Sequence, residues 1–231
     1  VKECALIVAG GKGLRFGSQL PKQFVELNGR PVLMRTLDAF FRYSPEIDVV
    51  LVLPEHEISE WQSLAQKHNF SRHVRVVTGG LTRFQSVRNG LAEIPDEALV
   101  AIHDGVRPLV PTAVIGESFR VAALRQSAIA CVSLKESLRL VTAQSGDHIG
   151  SSQAVSRSQY RLVQTPQTFH AALIKKAYCI REDPGLTDDA SVAERAGYQL
   201  AIFEGSYENI KITGPEDLII AGALHRANLG M

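Results

Sequence analysis

The sequence predicts an α/β protein built on a mostly parallel sheet with helices on both faces. Two observations carry this: short apolar runs recur along the chain, and helical patterns fill most of the gaps between them. A third is scale, since 231 residues, 45% hydrophobic and 21% charged, suffice for one large domain with a real core. In such sheets ligands bind beyond the carboxyl ends of the strands, so those ends are where chemistry is expected.

In chain order, the strand-like runs are CALIV (4–8), IDVVLVL (47–53), VRVV (74–77), ALVAIH (98–103), AIACVSL (128–134) and YQLAIF (198–203). Helical patterns start at Pro31, Glu57, Arg83 and Thr112, then at Ala171 and Pro215. One stretch breaks the rhythm. From Glu136 to Tyr160 the chain is too polar for a central strand and too patterned for plain disorder. Ser137 to Val141 alternate like a strand with one dry face, and Gln144, Ser145 and Gly146 resemble a turn. A surface hairpin or long loop fits this segment, and so does an arm reaching another subunit. No internal repeat is visible.

The formal net charge is +1, so bulk charge gives no sign of nucleic-acid binding, and any anion site must be local. No apolar run reaches about 18 residues, so no membrane span is expected. The chain enters a strand at once, which gives the expectation of no leader. Cys4, Cys131 and Cys179 are far apart and no pair has metal-ligand spacing. All three are expected to be reduced thiols packed like small hydrophobes, in a cytoplasmic protein.

Four clusters carry candidate chemistry. After the first strand come Gly10, Gly11, Gly13 and Gly17 with Lys12, Arg15 and Lys22. Neither a Walker A loop nor a dinucleotide fingerprint is present: position 16 is Phe, and the third glycine comes one late. A glycine-rich turn there still offers backbone N–H groups to a phosphate chain, and Arg15 and Lys22 add charge. The second cluster, TGGLTRFQSVRNGL (78–91), has Gly79 and Gly80 for close approach to a flat ligand. Thr82 can cap the helix that follows, with Ser86 one turn in. The third, AIHDGVRPLV (101–110), ends a strand on Asp104, a candidate magnesium or ribose ligand. Arg107 beside Pro108 can meet a phosphate in a fork, while His103 reads as structural. The fourth joins LTDDAS (186–191), a helix start with a capping carboxylate, to ENIKIT (208–213). There Lys211 lies on the opposite strand face from Ile210 and Ile212.

These clusters, in this order and with TPQ at Thr165 to Gln167, closely resemble the 2-C-methyl-D-erythritol 4-phosphate cytidylyltransferases of the non-mevalonate isoprenoid pathway. The likeness runs from VAGGKGLRFGSQLPKQF to ENIKIT, nearly the whole chain. It implies a single Rossmann-like nucleotidyltransferase domain over residues 1–231, with an inserted dimerisation arm at about 136–160. It also implies a reaction: CTP and a sugar-alcohol phosphate give a CDP-alcohol and pyrophosphate, with Mg²⁺ or another divalent cation. By that likeness Ala9, Gly10, Gly11, Gly80, Ser86, Asp104 and Gly105 bind the nucleotide, and Asp104 also lies at the metal. Arg15, Lys22 and Lys211 form the catalytic set. Arg107, Ser137, Arg157, Thr187 and Lys211 hold the acceptor, with Arg157 coming from the neighbouring subunit of a homodimer. Ser137 stands where the family often has Thr, Gly10 and Gly105 where some members have Ala, and Leu81 where some have Asp. Two other readings stay open on the residues alone, a ribitol-5-phosphate cytidylyltransferase and a non-catalytic nucleotide-binding module. An NAD-dependent oxidoreductase is disfavoured by the misplaced glycine.

Overall fold

A computed structural model describes residues 1–10, 20–144 and 150–228. The elements follow in chain order: β1 (Glu3–Val8), β2 (Glu26–Leu27), β3 (Arg30–Pro31), α1 (Val32–Tyr43), β4 (Asp48–Leu53), α2 (Ile58–Lys67) and β5 (Arg75–Thr78). Next come α3 (Arg83–Leu91), β6 (Leu99–Asp104), α4 (Thr112–Arg125), β7 (Ser127–Ser133), β8 (Leu138–Gln144) and β9 (Gly150–Val155). The chain then forms β10 (Arg161–His170), α5 (Ala171–Ala177), α6 (Asp189–Arg195), β11 (Ile202–Glu204) and α7 (Pro215–Asn228).

The main sheet has seven strands in the order β5–β4–β1–β6–β10–β7–β11. All its pairings are parallel except the two made by β10, which runs antiparallel to both β6 and β7. Strand β1 shows why helices cover both faces. Its side chains alternate with period two: Ala5 and Ile7 join one apolar cluster with Leu37 and Phe40 of α1 and Phe119 of α4. Cys4, Leu6 and Val8 join the opposite cluster with Val87 of α3, Ile174 of α5 and Val192 of α6. Both faces of β1 are therefore dry, and each fully buried large side chain contributes about 1.5–3 kcal/mol of burial free energy. Among the described residues no helix is long and apolar enough to cross a membrane.

Chain direction through the sheet fixes the site. From β1 the chain first builds outward to β4 and β5, then returns to place β6 on the other side of β1. The strand order reverses between β1 and β6, which opens a crevice at their carboxyl ends. There Val8 pairs with Asp104.

Several expectations need correction. β10 was not anticipated, because Pro166 and the polar QTPQT run argue against a central strand. The register of β10 against β7 shifts between Val163 and Gln167, and that irregularity accommodates the proline. The run 198–203 is strand only from Ile202 onward, and Lys211 lies in extended chain outside any strand. The alternation around it survives, with Ile212 buried and Lys211 exposed, because Ile212 N–H donates to the Val106 carbonyl at 2.9 Å. Cys4 and Cys131 are buried as expected, but Cys179 is exposed.

The 136–160 segment forms a separate two-stranded antiparallel sheet of β8 and β9. The expected dry face is absent in the single chain, where Leu140 and Val141 are exposed. Of the expected turn, Ser145 and Gly146 lie outside the described residues.

Candidate active site

Three adjoining cavities run along the carboxyl ends of β5, β4, β1 and β6. The largest, about 510 Å³, is lined by Gly10, Pro54, Gly79, Gly80 and Ser86. A small one, about 120 Å³, lies among Ala9, Gly10, Lys22, Asp104 and Lys211. A third, about 250 Å³, is lined by Asp104, Arg107, Gln164, Thr187 and Lys211. Arg83 borders all three, and Asp104 and Lys211 border the last two, so the three make one cleft.

The floor is set by backbone. Ala9 N–H donates to the Val52 carbonyl at 3.0 Å, and Gly105 N–H donates to the Val8 carbonyl at 2.9 Å. A Cβ on Gly105 would stand 2.7 Å from the Ala9 Cβ, so glycine lets the two strand ends close up. At Gly10 an added Cβ would meet only Pro54, at 3.5 Å, an ordinary contact. The two small residues are therefore under different constraints: alanine fits at 10, while at 105 the neighbours would have to move.

The wall of the largest cavity is organised by α3. Thr82 caps the helix, its hydroxyl accepting from Gln85 N–H at 3.1 Å. The Ser86 hydroxyl accepts from Gly80 N–H at 3.1 Å and donates to the Thr82 carbonyl at 2.8 Å. Ser86 thus pins the glycine turn, and a Cβ at Gly80 would strike Gln85 Cβ at 2.3 Å. Lys22 sits in a turn whose next residue, Gln23, is buried. The Gln23 amide donates to the Ala9 carbonyl at 3.3 Å and to the Glu57 carboxylate, tying the Lys22 segment to the end of β1. Burial alone would raise the pKa of Asp217, but its bonds from Thr213 and Gly214, and behind them the charge of Lys22, hold it below the ordinary value.

Asp104 is the charge around which the cleft closes. Its Oδ2 lies 3.0 Å from Lys211 Nζ and 3.4 Å from Arg107 Nε, and its Oδ1 lies 3.8 Å from Arg83 Nε. Burial alone would raise the carboxyl pKa, but Arg83, Lys211 and Arg107 outweigh it and hold the group well below the usual carboxylate range. Arg107 is itself buried, and its Nη1 donates to the Asn209 carbonyl at 2.7 Å. Its guanidinium therefore braces Asp104 and the Lys211 segment together while still bordering the third cavity.

Arg83 is the residue that motif reading missed. It forms a bidentate pair with Asp189 at 2.9 and 2.7 Å, and Asp189 also accepts from the Tyr178 hydroxyl at 2.6 Å. Asp189 is fully buried as the first residue of α6, whose cap is Asp188 in a reciprocal capping box with Ser191. The LTDDAS cluster so divides its labour: Thr187 faces the cavity, Asp188 caps, and Asp189 orients Arg83. The available signal was two consecutive aspartates where capping requires one.

Thr187, Lys211, Lys22, Asp104, Ala9, Gly10, Gly80, Ser86 and Arg107 all reach the cleft. Gly105 supports it from the floor. Gly11 and Arg15 lie outside the described residues. Ser137 and Arg157 line none of the three cavities. Both are exposed at the foot of the arm, where the Arg157 guanidinium donates to the Lys135 carbonyl. Among the described residues no cluster of three or more His, Cys, Asp or Glu side chains is arranged to hold a metal. A single carboxylate such as Asp104 nonetheless fits the needs of magnesium, which takes one or two carboxylates and fills its shell with other oxygens and water.

The convergence of cations and glycine backbone on one anion-sized cleft is matched by kinship. The family model for IspD, 2-C-methyl-D-erythritol 4-phosphate cytidylyltransferase, matches residues 3–227. The chain belongs to this family. It is 49% identical over 220 residues to the 2-C-methyl-D-erythritol 4-phosphate cytidylyltransferase of Bacteroides fragilis, covering 95% of this chain and 98% of that one. Against the enzyme of the same name from Bacteroides thetaiotaomicron it is 47% identical over 224 residues, covering 97% and 100%. The crystal structure of 4-diphosphocytidyl-2C-methyl-D-erythritol synthase from Anaerococcus prevotii superposes with a TM-score of 0.79 at 28% identity, covering 97% of this chain and 96% of that one. As a member of the 2-C-methyl-D-erythritol 4-phosphate cytidylyltransferases the chain is a nucleotidyltransferase, which decides against the oxidoreductase and the non-catalytic module.

His103, next to Asp104, is fully buried and held neutral. The Thr165 hydroxyl accepts from Asp104 N–H at 3.1 Å, so its own proton points to His103 Nδ1 at 3.0 Å. The other ring nitrogen then donates to the Arg107 carbonyl at 3.3 Å. Burial pushes the His103 pKa from 6.5 down to about 4. The unfolded chain therefore takes up this proton first, and the stability tied to the neutral ring is complete above pH 6.5 and is lost as pH falls toward about 4. His103→Gln keeps a donor and an acceptor but cannot titrate. Its melting temperature is expected to fall less steeply than the native protein's between pH 6.5 and 4, and an equal slope in thermal scans would refute the assignment.

Proposed function

We propose that the wall formed by Gly10, Gly80 and Ser86 holds CTP, and that Thr187 and Lys211 hold the phosphate of the acceptor. The chain is a cytidylyltransferase acting on 2-C-methyl-D-erythritol 4-phosphate. In this reading a phosphate oxygen of the acceptor attacks the α-phosphorus of CTP in line. A new P–O–P bond forms, the bond from the α-phosphorus to the β-phosphate oxygen breaks, and pyrophosphate departs with that electron pair. The attacking oxygen is already anionic, so no general base is required. The obstacle is repulsion between two anions, and the cleft answers it with charge fixed in place before they arrive. The observation that carries this reading is the position of Asp104 and Lys211 at the junction of the nucleotide-side and acceptor-side cavities.

Lys22 and Arg15 would act on charge gathering on the α-phosphoryl group and on the leaving pyrophosphate. Lys211 lies between the reactants, within reach of the acceptor phosphate. Asp104 would hold Mg²⁺ together with triphosphate oxygens, and the ion would supply further charge neutralisation when bound. Arg107 keeps Asp104 and Lys211 in register. The arm of β8 and β9, with exposed Leu140 and Val141, suits a homodimer in which Arg157 of the partner subunit completes the acceptor side. The unpaired thiols fit a reducing, cytoplasmic setting.

Replacing one preorganised charge donor typically lowers turnover by about 10²–10³-fold. Lys22→Ala is expected to do so at saturating CTP and acceptor, measured by pyrophosphate release. Near-native turnover would remove Lys22 from the transition state. Arg157→Ala is expected to raise the apparent KM for the acceptor more than that for CTP. Mixing Lys22→Ala and Arg157→Ala chains should restore activity, because one site of a mixed dimer then has both residues. Equal KM effects and no recovery on mixing would place Arg157 outside a shared site.

A further inference from the structure

A fourth cavity, about 370 Å³, lies away from the cleft, between one face of α1, the Pro108–Thr112 segment and the last turn of α7. Its size is in the range of small-ligand pockets. Arg35 and Arg42 are two turns apart on one face of α1 and both line it, as does His225 of α7. Arg35 is fixed in place: Nε donates to the Leu27 carbonyl at 2.6 Å, Nη2 to the Asn28 carbonyl at 2.7 Å, and Nη1 meets His225 Nε2 at 2.6 Å. Arg42 is different. Among the described residues no hydrogen bond or ion pair engages its side chain, and the charged groups it acts on, Arg35 and His225, are basic.

The third wall adds to the same field. Thr112 begins the 14-residue helix α4, whose N-terminus has no side-chain cap and no acidic residue in its first turn. Through Thr112 the positive end of its dipole lies at the cavity rim. Two guanidiniums, one of them unpartnered, and an uncapped helix start define a place for a dianion. The opposite rim is built for hydroxyl groups. There the Glu208 carboxylate accepts from the Asn228 amide at 3.0 Å, and both residues line the cavity. Glu208 would repel a second phosphate but can accept from alcohols.

We propose that this cavity is a second binding site, separate from the reaction centre, for the phosphate monoester of a small polyol. The phosphate sits on Arg35, Arg42 and the start of α4, and the hydroxyls meet Glu208 and Asn228. The Pro108–Thr112 wall continues directly from Arg107, and Glu208 precedes Asn209, whose carbonyl Arg107 holds. An occupant therefore touches both segments that brace Asp104.

The test is an NMR titration of the isotopically labelled full chain with glycerol 3-phosphate, run with CTP and Mg²⁺ present so that the nucleotide side of the cleft is occupied. Saturable shifts are expected at the Arg35 Nε–H and the His225 ring. Arg42→Gln, an exposed change on α1, should retain basal turnover while weakening this binding about tenfold or more. A parallel titration with inorganic phosphate separates the two sources of the anion. Tighter binding of glycerol 3-phosphate supports the polyol assignment, and equal affinities would overturn it. Absence of saturation at both probes, or an affinity unchanged by Arg42→Gln, would overturn the site itself.

Discussion

Asp104 ends β6 beside the end of β1, buried, with Lys211, Arg107 and Arg83 drawn around its carboxylate. Each of those cations comes from a different part of the chain. Arg83 begins α3, Arg107 follows β6, and Lys211 lies in the extended segment before α7. A buried carboxylate without partners would be driven to protonate, and buried guanidiniums without a counter-charge would be equally unfavourable. The two needs are met by one arrangement, and that arrangement brings distant segments to one cleft. Replacing one partner by an apolar residue would leave the others uncompensated, which makes the network a structural constraint as well as a chemical one.

The same network sets the electrostatics that phosphoryl chemistry needs. Asp189 takes up the charge of Arg83, and Asp104 is shared by three cations, so Lys211 is not neutralised one for one by a buried acid. The cleft remains receptive to anions although the whole chain carries a net charge of only +1. Positive charge held on rigid strand ends needs no reorganisation when negative charge gathers in the transition state. The neutral His103 below Asp104 fits this picture. Its two hydrogen bonds fix Thr165 and the Arg107 carbonyl without adding a titrating charge at neutral pH.

Much of this was legible in the sequence because local rules governed it. β1, β4 and β6 are short apolar runs buried on both faces, Thr82 caps α3 as its position requires, and Asp104 stands at a strand end where α/β sheets place ligands. What was not legible depended on long-range pairing. β10 carries Pro166 with two polar residues on each side of it, and it becomes a central strand only because β6 and β7 flank it with a register shift to absorb the proline. The alternation around Lys211 resembled a strand, but the segment lies outside any strand and is anchored by Ile212 on the Val106 carbonyl, by Arg107 on the Asn209 carbonyl and by Lys211 on Asp104. Arg83 was hidden for a related reason: its partner Asp189 is 106 residues away. The fork expected of Arg107 is largely turned inward, onto Asp104 and Asn209.

The claim that one ionised carboxylate organises the cleft is tested most directly by following the Asp104 side-chain carboxyl carbon by ¹³C NMR through an acid titration of the native chain. An ordinary aspartate titrates near about 3.9. With three cations against it, Asp104 should stay ionised through that range while exposed carboxylates protonate. A midpoint at the ordinary value would mean that Arg83, Arg107 and Lys211 do not act on it as a group, and the cleft would have to be held together by something else.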